Sequence, residues 1–138
     1  MTRIFTNESS DTGDVSPAVV CKDLSFEIMA AVFEVHNVLG PGFLEGVYEK
    51  ALLKELKLRG LKAEAQKGIR VRYKDEDVGV YYADVVVKDQ VLLELKAVDL
   101  LTRAHEAQVL NYLHATGLKL GLLINFAALR VVYKRFVL

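Results

Sequence analysis

Asp84, Glu94 and Lys96 fall within two apolar stretches, Val78 to Val87 and Val91 to Val98. Read as strands, these stretches send successive side chains to opposite faces. Val91, Leu93, Leu95 and Ala97 then share a wholly apolar face, while Leu92, Glu94, Lys96 and Val98 share the other. In the earlier strand Val80, Tyr82, Asp84 and Val86 share a face on which Asp84 is the only charge. Charges among apolar neighbours are costly unless they are paired or bind something.

The link Lys88-Asp89-Gln90 sets the register between the two strands. A three-residue hairpin loop faces Val87 with Val91 and Asp84 with Glu94, so both carboxylates leave the same face. A two-residue loop at Asp89-Gln90 instead sets Asp84 opposite Leu95 and parts the carboxylates. Neighbouring carboxylates repel unless one is protonated or a cation lies between them. Mg²⁺ suits such a pair, since it binds through one or two carboxylates and keeps several waters. Lys96, one pleat further on, is placed to meet a water or a phosphate oxygen. The competing reading is a Glu94–Lys96–Asp84 salt-bridge ladder on a solvent-facing sheet.

Several elements must position these groups. Leu24, Ile28, Val32, Val35 and Leu39 recur at helical spacing, with Asp23 as the expected N-cap and Gly40-Pro41-Gly42 as the break. A second helix is expected from Phe43 to Arg59, stopped by Gly60. The period then becomes two, with Ile69, Val71 and Tyr73 alternating with Arg70, Arg72 and Lys74 before a turn at Asp75-Glu76-Asp77. Thr102 is expected to cap a third helix that runs to Ala115 or Thr116 and stops at Gly117. Strands over Leu118 to Asn125 and Arg130 to Val137 follow. Three consecutive strands suit an antiparallel meander and the helix after them a parallel crossover, so a mixed α/β sheet flanked by helices is expected.

The third helix carries Gln108 and Tyr112 on one face, with His105 a turn earlier. A long amide and a phenol there can orient a substrate backbone or be ordinary helix residues. His105 reads as a surface residue of the first turn.

Taken together, Asp84, Glu94-Leu95-Lys96 and Gln108-Val109-Leu110-Asn111-Tyr112 resemble the D…(D/E)xK…QxxxY series of the PD-(D/E)XK nuclease superfamily. Gly42-Phe43-Leu44-Glu45-Gly46-Val47-Tyr48 is similar to the GxxExxY signature of a family of small proteins placed in that superfamily. The resemblance covers residues 23–138. It implies a restriction-endonuclease-like αβββαβ core and Mg²⁺- or Mn²⁺-dependent cleavage of phosphodiester bonds in DNA or RNA. Carried over, Asp84 and Glu94 are the metal-binding carboxylates, joined by the Leu95 carbonyl and by Glu45 from the second helix. Lys96 positions or polarises the attacking water, and Gln108 and Tyr112 support the site. Tyr48, three residues after Glu45, is placed to orient that carboxylate. Ala83 stands where the superfamily's name-giving pattern has proline, and some members of the superfamily have lost catalysis. A nuclease-like module that binds nucleic acid or protein without cutting is therefore the alternative function.

Composition sets the outer bounds. The 138 residues suit one domain, and 52% hydrophobic content supports a core without disulfides. Residues 1–22 read as a flexible tail and 23–138 as the nuclease-like domain. The lone Cys21 excludes an internal disulfide or a cysteine-based metal cluster and fits a reducing compartment. No apolar run reaches membrane-span length and Arg3 is followed by no apolar leader, so the cytoplasm is expected. Lys and Arg (18) balance Asp and Glu (18), so contact with nucleic acid must come from a local patch. The basic strip of Arg70, Arg72 and Lys74 reads first as a solvated strand face. The apolar final strand makes a homodimer an expectation.

Overall fold

Apolar periodicity builds two helical layers around one sheet, in a computed structural model that describes residues 3–5 and 20–138. In chain order the elements are β1 (Arg3–Phe5), α1 (Lys22–Leu39), α2 (Glu45–Leu58), β2 (Ala63–Tyr73), β3 (Glu76–Val87), β4 (Val91–Lys96), α3 (Arg103–Thr116), β5 (Leu120–Asn125) and β6 (Val132–Val137). The sheet order is β1-β6-β5-β4-β3-β2. Among the described strands only β4 and β5 run parallel, and α3 makes the crossover between them. The mixed sheet flanked by helices is the expected architecture. The expected tail lies mostly outside the described residues; within it, β1 pairs antiparallel with β6 and takes that strand's outer edge.

Ile28, Val32 and Val35 of α1 and Tyr48, Leu52 and Leu56 of α2 bury against Val85, Val87, Val91, Leu93 and Leu95. On the other side Val109, Tyr112 and Leu113 of α3 pack against Ala83, Val86, Leu92 and Leu123. Gly121 lets α3 approach closely, because a Cβ there would stand 2.7 Å from Cγ1 of Val109. Lys134 of β6 pairs with Glu106 of α3 at 2.8 Å and ties the helix to the sheet.

Element boundaries differ from expectation in ways that matter. The α1 N-cap is Cys21, which contributes no side-chain capping bond, and Asp23 lies in the first turn, where its charge suits the helix dipole. β2 begins at Ala63, six residues before the alternating segment, because pairing with β3 organises residues of weak strand preference. The β2–β3 turn falls at Lys74 and Asp75, both with positive φ, and Glu76 already belongs to β3. Of the described helices, none is long and apolar enough to cross a membrane.

Candidate metal centre

The hairpin register is the one that brings Asp84 level with Glu94. Val87 pairs with Val91, Val86 with Leu92 and Val85 with Leu93 across the three-residue loop. One step further the ladder stops, and side chains replace it. The Leu95 N–H donates to Oδ2 of Asp84 at 2.8 Å, and the Asp84 N–H donates to Oε1 of Glu94 at 3.4 Å. Each carboxylate thus holds the backbone of the opposite strand where β3 and β4 part.

The regular alternation expected for β3 breaks at the same place. Ala83 and Val86 both pack on the α3 side, and Tyr81 meets Tyr112 edge-on at 5.7 Å. Positions three apart cannot share a face of a regular strand. Tyr82 and Val80, more than half exposed, therefore do not share a face with Val86. On β2 the partner of Asp84 would be Gln66, yet that pair is missing from the ladder and Gln66 has φ 52°. The distortion frees Asp84 from the pleat.

Burial makes the pair electrostatically tense. Glu94 is only 3% exposed. Desolvation first, then the Asp84 charge, pushes its carboxyl from 4.5 up to about 8, against the weaker pull of Lys96. Glu94 therefore keeps its proton at neutral pH while no cation is bound. The salt-bridge ladder is not formed: among the described residues neither carboxylate lies within ion-pair distance of Lys96. Lys96 instead donates to Oε1 of Gln108 at 3.1 Å. Tyr112 is buried beside them, and burial together with the Glu94 and Asp84 charges raises its phenol to about 12. Asn125 anchors the chain just beyond Lys96, accepting from the Val98 N–H at 3.1 Å and donating to the Val98 carbonyl at 2.8 Å.

The structure therefore brings Asp84, Glu94, Lys96, Gln108 and Tyr112 to one end of the sheet. Glu45 is not joined to them by a hydrogen bond and is exposed as the first residue of α2. Tyr48 does not orient it. Its hydroxyl donates to the Gly40 carbonyl at 2.6 Å and accepts from the Phe43 N–H, while its ring stacks on Phe126 at 4.5 Å. The tyrosine fastens the Gly40-Pro41-Gly42 turn to the core. His105 completes a capping box with Thr102 and stays clear of the site.

Two residues of the cluster escaped the sequence reading. Glu49 of α2 accepts from Nε2 of Gln66 at 3.1 and 3.3 Å, and the same nitrogen lies 3.5 Å from Oδ1 of Asp84. Glu49 sits one helical turn after Glu45, so the four-residue spacing on α2 was its signal. For Gln66 the sequence held no local signal.

The oxygen donors suit a hard cation. Among the described residues no three acidic, histidine or cysteine groups close around one point. Two carboxylates with water are nevertheless a sufficient Mg²⁺ donor set.

The model of the PD-(D/E)XK nuclease superfamily matches residues 22–136. The chain belongs to that superfamily, and its helix-flanked mixed sheet is the restriction-endonuclease-like fold. Among solved structures, "Crystal structure of SSO0001" superposes with a TM-score of 0.52 at 17% identity, over 86% of this chain. This chain spans 59% of that one's length. A search of curated proteins finds no match.

Proposed function

We propose that the protein is a Mg²⁺- or Mn²⁺-dependent nuclease that hydrolyses phosphodiester bonds in DNA or RNA, of the GxxExxY type within its superfamily. The observation that carries this reading is the buried Asp84–Glu94 pair, whose repulsion is relieved by a proton at neutral pH and would be relieved better by a divalent cation. Asp84, Glu94 and the Leu95 carbonyl are the protein donors. α2 supplies a further carboxylate: Glu45 by resemblance, and Glu49 by its link to Asp84 through Gln66. When bound, the cation supplies charge neutralisation and a more acidic water.

The remaining work falls to side chains of the chain itself. Lys96, held by Gln108, sets a positive charge beside the carboxylates, where negative charge develops on a phosphate. Gln108 fixes the ammonium's direction, and Tyr112 closes the α3 side of the site against water. The lone thiol fits action in the cytoplasm.

The test is hydrolysis of single- and double-stranded DNA and RNA with Mg²⁺ or Mn²⁺. Cleavage that chelator abolishes, and that Lys96→Ala lacks, supports the proposal. Absence of cleavage on all four substrates would leave a binding module in its place.

A further inference from the structure

Gln66 stands where a strand residue should not. It lies inside β2, yet its φ of 52° is in the left-handed region, and its place opposite Asp84 is missing from the ladder. A non-glycine residue in that region costs energy and persists only where its surroundings hold it. What holds this one is visible. Nε2 lies 3.1 and 3.3 Å from the two carboxylate oxygens of Glu49 and 3.5 Å from Oδ1 of Asp84. An amide nitrogen offers two N–H groups and no acceptor. Its positive end therefore lies between two carboxylates, one from α2 and one from β3, that no other described group bridges.

We infer that Gln66 is a placeholder whose amide spans the Glu49 and Asp84 carboxylates before a cation binds and yields its place to that cation. The inference rests on the metal-dependent reading above. The amide carries only a partial charge, so it blunts the repulsion between the carboxylates without neutralising it. A divalent ion satisfies the same oxygens more strongly, and the side chain, exposed on β2, has solvent to turn into. Gln66 thus weakens cation binding by competing for the same oxygens.

The experiment is calorimetric titration of the whole protein with Mn²⁺, with the melting temperature of each metal-free variant measured alongside. Gln66→Gly and Gln66→Asn both keep a residue that tolerates positive φ, and asparagine's shorter side chain cannot span both carboxylates. Both should bind Mn²⁺ roughly threefold to tenfold more tightly than wild type, the range for one charge-assisted hydrogen bond partly screened by water. Their metal-free melting temperatures should fall or stay level. Unchanged or weaker binding in both variants, with wild type binding Mn²⁺, would overturn the role of Gln66 alone. Failure of wild type to bind Mn²⁺ would overturn the metal-dependent reading and this inference with it.

Discussion

Asp84 and Glu94 each accept a hydrogen bond from the other's strand: the Leu95 N–H donates to Asp84 at 2.8 Å, and the Asp84 N–H donates to Glu94 at 3.4 Å. The exchange replaces the next rung of the β3–β4 ladder. It also presses two acidic groups together under the cover of α3. Their closeness follows from the register and is not a matter of side-chain flexibility.

Glu94 should make the metal-free protein pH-sensitive. Its carboxyl is raised from 4.5 to about 8, chiefly by burial and then by Asp84. At intermediate pH the folded state holds a proton that the unfolded state has lost. The stability so contributed is complete below the unfolded value of 4.5 and is lost as pH rises through about 8. Thermal melts in chelator should therefore show a falling melting temperature over that window. Glu94→Gln, which keeps the shape without the titration, should flatten the slope. Equal slopes in both proteins would contradict the assignment.

Asp84→Asn and Lys96→Ala should separate stability from function. Asparagine retains an oxygen for the Leu95 N–H and, above about pH 8 where Glu94 is ionised, removes a like charge, so folding stability there should hold or rise. Alanine at Lys96 forfeits one partly exposed bond to Gln108, at a cost of about 1 kcal/mol. Both should abolish cleavage. A loss of about 3–5 kcal/mol from either, read from urea unfolding, would mean that a buried ion pair had been broken.

The carboxylates of α2 can be ranked. Glu49 is tied to Asp84 through Gln66, whereas Glu45 is exposed a turn earlier. Glu49→Gln should weaken Mn²⁺ binding more than Glu45→Gln does, because it withdraws the charge nearer the pair. The opposite order in a calorimetric titration would return the role to Glu45.

Gly121→Ala tests the seating of α3. The new methyl would meet Cγ1 of Val109 at 2.7 Å and Cδ1 of Leu113 at 3.3 Å. Overpacking of this kind costs about 1–3 kcal/mol, and displacement of α3 should loosen the Lys96–Gln108 bond. Denaturant unfolding should show the loss, with part of it restored by Val109→Ala. A full-stability Gly121→Ala protein would show that α3 gives way freely.

Much of the fold was legible because its layers follow periodicity. The 3.6-residue spacing of Ile28, Val32 and Val35 and the alternation of Val91, Leu93 and Leu95 both point at the same core. The register was legible too, since the three-residue loop decides which carboxylates meet. What escaped is non-local. Ala65-Gln66-Lys67 lacks strand preference and becomes a strand only by pairing with β3. The break in alternation at Asp84 has no glycine or proline to announce it. Gln66 and Glu49 join the cluster through that break, from elements distant in sequence. Tyr48 looked like a partner for Glu45 because helix spacing is local, yet its hydroxyl is taken by the Gly40 carbonyl eight residues back.

A cation held by the Asp84–Glu94 pair should displace the Glu94 proton. Calorimetric titration with Mn²⁺ at pH ~7, repeated in buffers of different ionisation enthalpy, counts protons released per ion bound. With Glu94 raised to about 8, most of one proton should leave for each Mn²⁺ bound, and almost none in Glu94→Gln. Binding by wild type without proton release, or binding that survives Asp84→Asn unchanged, would contradict the account.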